Sequence, residues 1–119
     1  MSEFDLADRV VIVTGGGTGI GKAYSEAFAK AGAKVVIADN AGQEGEELAA
    51  AISQSDGKAL AIKTDISSEK ATEQMARATL DKFSRIDVLV NNASLMSKLE
   101  RRPWHEIEVD EWDQVMKVN

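Results

Sequence analysis

Gly15, Gly19 and Gly21 stand in the spacing Thr-Gly-x-x-x-Gly-x-Gly, directly after the apolar run Val10-Val11-Ile12-Val13 and just ahead of Lys22. Glycine takes positive φ without strain and lets a ligand approach the main chain where a Cβ would block it. A helix opening at about Gly19 points its first unpaired N–H groups, and roughly half a positive charge, into that turn. Strand, glycine turn and helix N-terminus together make a pyrophosphate site. Two other phosphate motifs come close and fail. The G-x-G-x-x-G spacing would put its third glycine on Ile20. Gly16 to Lys22 fits G-x-x-x-x-G-K, but Ala23 stands where a Ser or Thr hydroxyl must hold Mg²⁺. The dinucleotide reading therefore ranks above the triphosphate one, and Mg²⁺-dependent ATP binding is not expected.

Asp39 is the second residue with chemistry. It ends the apolar run Val35-Val36-Ile37-Ala38, about 30 residues into a strand–helix–strand unit. A carboxylate there can accept hydrogen bonds from both adenosine ribose hydroxyls. It would also repel a 2′-phosphate, by roughly 1 to 4 kcal/mol for like charges ~4 Å apart near a surface. Neither Thr18 nor Asn40 supplies a compensating cation, so the expectation is NAD over NADP. The bland alternative, a carboxylate that only caps or solubilises a loop, is disfavoured by the glycine turn upstream. Asp65 stays open between a helix-entry residue and a polar group meeting the adenine amino group. Asn91 and Asn92 follow a buried strand and can tie it to a neighbouring loop, or simply make an Asx turn.

These residues need elements to hold them. Gly19 to Ala31 reads as a helix with Ile20, Ala23, Tyr24, Ala27, Phe28 and Ala31 as its inward stripe, stopped by Gly32. Gln43 to Gln54 reads as a surface helix with Leu48 and Ile52 inward and Glu44, Glu46 and Glu47 solvated. Asp56-Gly57 turns into a strand over Ala59 to Ile62, and Ser67 or Ser68 caps a helix from Ser68 to Ser84. That helix carries Thr72, Met75, Ala76, Thr79, Leu80 and Phe83 on one stripe. Asp87 opens the strand Val88-Leu89-Val90. Leu95 to Val109 is a polar connection with Lys98, Arg101, Arg102, Pro103, Trp104 and His105. Trp104 either anchors that loop or faces a partner subunit, and a lone loop histidine is more often structural than catalytic. The last helix, from Asp110 to Asn119, turns Trp112, Val115 and Met116 inward and places the Asn119 amide on the same stripe. A buried amide needs partners, which makes Asn119 a candidate site residue.

Composition bounds the rest. At 119 residues and 44% hydrophobic content the chain is one domain or part of one, with no run long enough to span a membrane. Having no cysteine, it has no disulfide and no Cys-based zinc site, and no metal is expected. Met1 to Asp8 lacks the apolar core of a secretion signal, so the expected location is cytoplasmic. A net charge of −6 argues against nucleic acid or an anionic membrane surface as the main partner.

Thr14-Gly-Gly-Gly-Thr-Gly-Ile-Gly21, Asp39 closing its strand, Asp65-Ile66, Asn91-Asn92-Ala93-Ser94 and Trp112-Asp-Gln-Val-Met-Lys-Val-Asn119, in this order, resemble the short-chain dehydrogenase/reductase family. The resemblance covers nearly the whole chain. It implies an α/β fold, a doubly wound parallel sheet of Rossmann type with strands in the order 3-2-1-4. It implies an NAD-dependent oxidoreductase that moves hydride between nicotinamide and a small-molecule alcohol or carbonyl substrate, as a homo-oligomeric dimer or tetramer. Gly15, Thr18, Gly19, Ile20 and Gly21 would line the pyrophosphate and adenosine end, and Asp39 would take the ribose hydroxyls. Asp65 and Ile66 would flank adenine, and Asn91 and Ala93 would meet a ribose through their main chains. Ser94 stands where the family usually has Gly, a change expected to alter loop dihedrals or crowd the nicotinamide side. Asn119 matches the helix asparagine that holds a water in the family's proton relay.

The family's catalytic Ser and Tyr-x-x-x-Lys are not in this sequence, and Tyr24, followed by Phe28 on a core face, cannot stand in. The last helix is shorter than the ~11 to 12 residues typical of helices, and Val88-Leu89-Val90 would be left as an apolar sheet edge. The expectation is that residues 1–119 are the N-terminal part of a single dinucleotide-binding domain whose remainder lies outside this sequence. A catalytically silent dinucleotide-binding module is the competing reading, and a Tyr-x-x-x-Lys in the next ~40 residues would decide against it.

Overall fold

Val10, Val11, Ile12 and Val13 are apolar without alternation because the strand they form is covered on both faces. In the computed structural model, which describes residues 5–95 and 99–119, all of strand β1 (Val10–Thr14) is buried. Residues 1–4 of the N-terminal stretch and Lys98 of the polar connection lie outside the described residues. β1 pairs in parallel with β2 (Lys34–Asp39) on one side, Val13 opposite Ile37, and with β4 (Val88–Val90) on the other, Val13 opposite Val90. β3 (Lys58–Lys63) lies parallel to β2, which gives the expected sheet order 3-2-1-4. Alternate residues of the central strands feed two cores. Val11, Val13, Val35 and Ile37 pack with Leu48 and Ile52, and Val10, Ile12, Val36 and Ala38 pack with Met75.

Helix α1 (Gly19–Lys30) is rotated from the expected stripe. Gly21 and Ser25 are its buried residues, Phe28 and Ala29 pack against the core, and Ile20 (65% exposed) and Tyr24 (44% exposed) look outward. The cause is close approach: a Cβ on Gly21 would overlap the Gly15 carbonyl, so the helix meets the sheet and loop through its smallest residues. The larger apolar side chains lie one position round. Helix α2 (Gly42–Gln54) buries Leu48 and Ile52 as expected.

Helix α3 (Glu69–Phe83) buries Met75 and Thr79 and leaves Leu80 exposed; the Ser68 hydroxyl accepts from Ala71 N–H at 3.2 Å and caps it. Its C-terminal Ser84 has φ +66°, a left-handed conformation that costs an L side chain energy glycine does not spend. Ser84→Gly is therefore expected to stabilise the fold by about 0.5–1 kcal/mol, read as a higher urea midpoint with an unchanged slope.

Helix α4 (Val109–Val118) departs furthest from expectation. It buries no residue; Val115 is half-buried, but Trp112 (60%) and Met116 (64%) are exposed. β4 is the edge of the described sheet, so a helix following it has no further strand to lie on. Among its described residues, the polar connection ahead of α4 contains a short helical turn, Trp104–Glu106, in which exposed Trp104 stacks edge-on against His105. No helix among the described residues is long and apolar enough to cross a membrane.

Asp87 pins the start of β4 to that of β1. Its Oδ2 accepts from Val10 N–H at 2.8 Å and its Oδ1 from Arg85 at 2.6 Å. Arg85 first, then the Val10 amide, hold its carboxyl below the ordinary 3.8. The folded carboxylate thus binds a proton less readily than the unfolded one. Its contribution is complete above the unfolded value and is lost as pH falls through the folded one. We expect the urea midpoint to hold from about pH 7 to about pH 5 and to drop below about pH 4. Asp87→Asn should shrink that drop.

Candidate functional site

The glycine turn closes over the carboxyl ends of β1, β2 and β4. Gly15 (φ +64°) continues the ladder, its N–H donating to Ala38 O at 2.8 Å. A Cβ at Gly15 would sit 3.0 Å from Ala93 Cα, so glycine is needed here for both conformation and space. Gly19 (φ +53°) differs: a Cβ there would meet nothing within 4 Å, and the space over the helix start is open. Thr18 is the α1 N-cap but makes no side-chain cap, and no acidic residue stands in the first turn. The helix therefore opens with its N–H groups unneutralised, beside exposed Ile20 and main chain that a negatively charged group can reach.

Asp39 is buried at the end of β2 with both carboxylate oxygens engaged. Oδ2 accepts from Gly17 N–H at 2.9 Å and Oδ1 from Ala41 N–H at 2.8 Å. A carboxylate has about four acceptor sites, so two remain for a ligand's hydroxyls. The turn is also packed from behind, since a Cβ at Gly17 would lie 2.9 Å from the Gly45 amide nitrogen of α2.

On the other side Thr14 and Asn92 join β1 to the turn after β4. Thr14 Oγ1 donates to Val90 O at 3.2 Å and accepts from Asn92 N–H at 3.0 Å and Ala93 N–H at 3.1 Å. Asn92 Nδ2 donates to Thr14 O at 3.0 Å and Gly15 O at 3.3 Å. Of the two adjacent asparagines Asn92 carries these ties, and Asn91 is exposed. Asn92 makes the tie between strand and loop that the asparagine pair allowed. Thr14 and Gly17 lie inside the glycine motif but are not singled out by it, and their side-chain and main-chain bonds make them positioning groups. Ser94 is exposed and outside the left-handed region, so its own backbone conformation does not require glycine.

Asp65 is exposed just beyond β3. Its Oδ1 accepts from Ser67 Oγ at 2.6 Å and Ser67 N–H at 2.9 Å, an Asx turn leading into α3, with half-buried Ile66 beside it. Those bonds, the hydroxyl first, hold its carboxyl below its ordinary value. The strand end is fixed to Asp39 by Thr64 N–H, which donates to Asp39 O at 3.0 Å. Asn119 is exposed rather than buried on an apolar face. Its Oδ1 accepts from Leu95 N–H at 2.6 Å and its Nδ2 donates to Leu95 O at 3.5 Å, so the partners its amide requires are main-chain atoms after β4.

Two concavities, of about 370 and 240 Å³, lie instead in the groove between α1 and α2. The smaller one reaches Gly17 at the edge of the glycine turn and is lined by Lys22 with Glu26, Glu44 and Glu47, so its three carboxylates outnumber one ammonium and disfavour a phosphate there. Among the described residues no group of three or more His, Cys, Asp or Glu is placed to hold a metal ion.

Comparison with known proteins accords with this geometry. The family model for short chain dehydrogenase matches residues 9–119. A short chain dehydrogenase/reductase of Aspergillus oryzae is 39% identical over 98% of this chain and 44% of its own length. Glucose 1-dehydrogenase 2 of Bacillus subtilis is 35% identical over 97% of this chain and 44% of its own. The crystal structure of 3-ketoacyl-(acyl-carrier-protein) reductase from Brucella melitensis complexed with NADH superposes with a TM-score of 0.86 at 38% identity. That match covers 95% of this chain and 44% of that one, so the chain spans less than half the length of these relatives. A four-stranded parallel sheet, a glycine turn packed against Ala93, a carboxylate closing β2 and a profile match over residues 9–119 lead to one assignment: the chain belongs to the short-chain dehydrogenase/reductase family.

Proposed function

We propose that this chain is the cofactor-binding N-terminal part of an NAD(H)-dependent oxidoreductase that moves hydride between nicotinamide and a small alcohol or carbonyl compound. The observation that carries the reading is the buried Asp39 carboxylate, pre-oriented by Gly17 N–H at 2.9 Å at the edge of the glycine turn. A carboxylate so held can accept from two ribose hydroxyls and repels a 2′-phosphate. The open helix start at Gly19 and the main chain of Gly15 and Gly21 fit a pyrophosphate, since the turn has the room and the unneutralised N–H groups it needs. When bound, the nicotinamide supplies the hydride chemistry; the chain's own residues bind and orient it. Thr18 and Ile20 border the pyrophosphate, Asp65 and Ile66 flank adenine, and Asn91, Ala93 and Ser94 edge the ribose on the nicotinamide side.

Asn119 belongs to the catalytic group in this reading. Because both ends of its amide engage Leu95, its task is to hold the end of α4 against the loop after β4. The general acid/base Tyr and its Lys are proposed to lie in residues beyond this sequence, as the resemblance implies. The parent is proposed to be a cytoplasmic homo-oligomer, in line with the cysteine-free sequence and with the family resemblance. Fluorescence titration with NADH and NADPH tests the cofactor reading. Tighter NADH binding is expected, and a preference for NADPH would overturn the role given to Asp39. Tyr24, the single tyrosine, is followed four residues on by Phe28 and not by Lys, so the 119 residues alone are expected to bind dinucleotide without turning over substrate.

A further inference from the structure

Ser25 is a completely buried hydroxyl beneath the glycine turn. Its Oγ lies 2.9 Å from both Gly16 O and Gly21 O. The two acceptors are not equivalent. Gly21 O lies inside α1, where the helix ladder already supplies a donor. Gly16 O is buried in the turn and has no main-chain donor among the described residues, so the Ser25 hydroxyl is its partner. The next atoms of the same peptide unit are engaged from the opposite side, where Gly17 N–H donates to Asp39 Oδ2 at 2.9 Å. In a planar trans peptide the C=O and N–H point in opposite directions, so holding both ends fixes the plane. A peptide between two glycines resists rotation least of all, because neither residue has a Cβ to restrict it.

We infer that Ser25 is a positioning residue for the cofactor site: it clamps the Gly16–Gly17 peptide so that Gly17 N–H holds the Asp39 carboxylate in the orientation that selects NAD over NADP. This inference rests on the proposed dinucleotide site and goes one step deeper into it. Without the hydroxyl, Gly16 O is left buried and unpaired, which favours rotation of that carbonyl toward water. The rotation carries Gly17 N–H away from Asp39. The carboxylate then keeps only its Ala41 bond, and its discrimination between a ribose hydroxyl and a 2′-phosphate weakens.

Ser25→Ala tests this without a packing penalty, since alanine is smaller and a better helix former. Two measurements are made on the chain: NADH and NADPH dissociation constants, and the hydrogen-exchange rate of the Gly17 amide. The expected result is a Gly17 amide that exchanges at least about tenfold faster while Val36 in the sheet is unchanged. With it, the NADPH-to-NADH ratio of dissociation constants narrows by about five- to tenfold. A purely structural role would weaken both dinucleotides equally and leave the ratio where it was, which overturns the inference. Unchanged Gly17 exchange overturns it as well. If the wild-type chain binds neither dinucleotide, the proposed function falls, and the Gly17 exchange rate alone decides whether the clamp exists.

Discussion

Gly21→Ala is expected to remove measurable dinucleotide binding, at least a hundredfold in NADH affinity, although alanine is the better helix residue. Alanine gains about 1 kcal/mol over glycine in a helix interior. Against that stands direct overlap of the new Cβ with the Gly15 carbonyl, with Asn92 Nδ2 a further 2.6 Å neighbour. Overpacking typically costs about 1–3 kcal/mol when the surroundings can shift. Here they are held on three sides. Gly15 is fixed by its bond to Ala38 O, by contact with Ala93, and by the Asn92 side chain donating to its carbonyl. The strain is expected to be relieved by moving the helix start away from the turn, which moves the first-turn N–H groups off the pyrophosphate. Circular dichroism should report a folded sheet, with a melting point lowered by several degrees. Retained NADH affinity within about threefold of wild type would refute the close packing assigned to this turn.

The same residue explains where reading the sequence succeeded and where it did not. Val10–Val13 and Val35–Ala38 were legible as strands because continuous apolar runs occur where both faces are covered, and Asp39 was legible because it ends such a run. The face of α1 was not legible. Helical spacing favoured Ile20, Ala23, Tyr24, Ala27, Phe28 and Ala31. Phe28 does pack on the core, but Gly21 must lie against Gly15, and that contact across the turn rotates the start of the helix so that Ile20 and Tyr24 face outward. Asn91 and Asn92 pose the same problem just past a strand. Which of two neighbours turns inward is the phase of an alternation set by the pairing of Val90 with Val13, and no local pattern encodes it. Trp112 and Met116 keep a regular apolar stripe with nothing described beneath it, so periodicity located the helix without locating its cover.

Asp39→Ala is expected to weaken NADH by about 30-fold or more without making a tight NADPH binder. Simple charge reasoning predicts a switch, since deleting the carboxylate removes roughly 1 to 4 kcal/mol of repulsion toward a 2′-phosphate. The geometry predicts a different balance. The carboxylate is the acceptor for Gly17 N–H and Ala41 N–H, at 2.9 and 2.8 Å, in a position that is nearly closed to solvent. Removing it leaves two main-chain donors without that partner, at about 1–3 kcal/mol each where water cannot replace it. It also deletes the charged acceptor proposed for the ribose hydroxyls, worth about 1.5–3 kcal/mol per bond. The relief of repulsion is thus offset by a turn that no longer holds its shape, and in the proposed site both dinucleotides depend on that turn for the pyrophosphate. Asp39→Asn separates the contributions. Its one carbonyl oxygen can accept from Gly17 or Ala41 but not both, and it carries no charge to repel phosphate. We expect it to bind NADH more weakly than wild type and more tightly than Asp39→Ala, with NADPH gaining at most a few-fold. An Asp39→Ala chain that binds NADPH as tightly as the wild type binds NADH would mean that the turn keeps its shape unaided and that the carboxylate only repels.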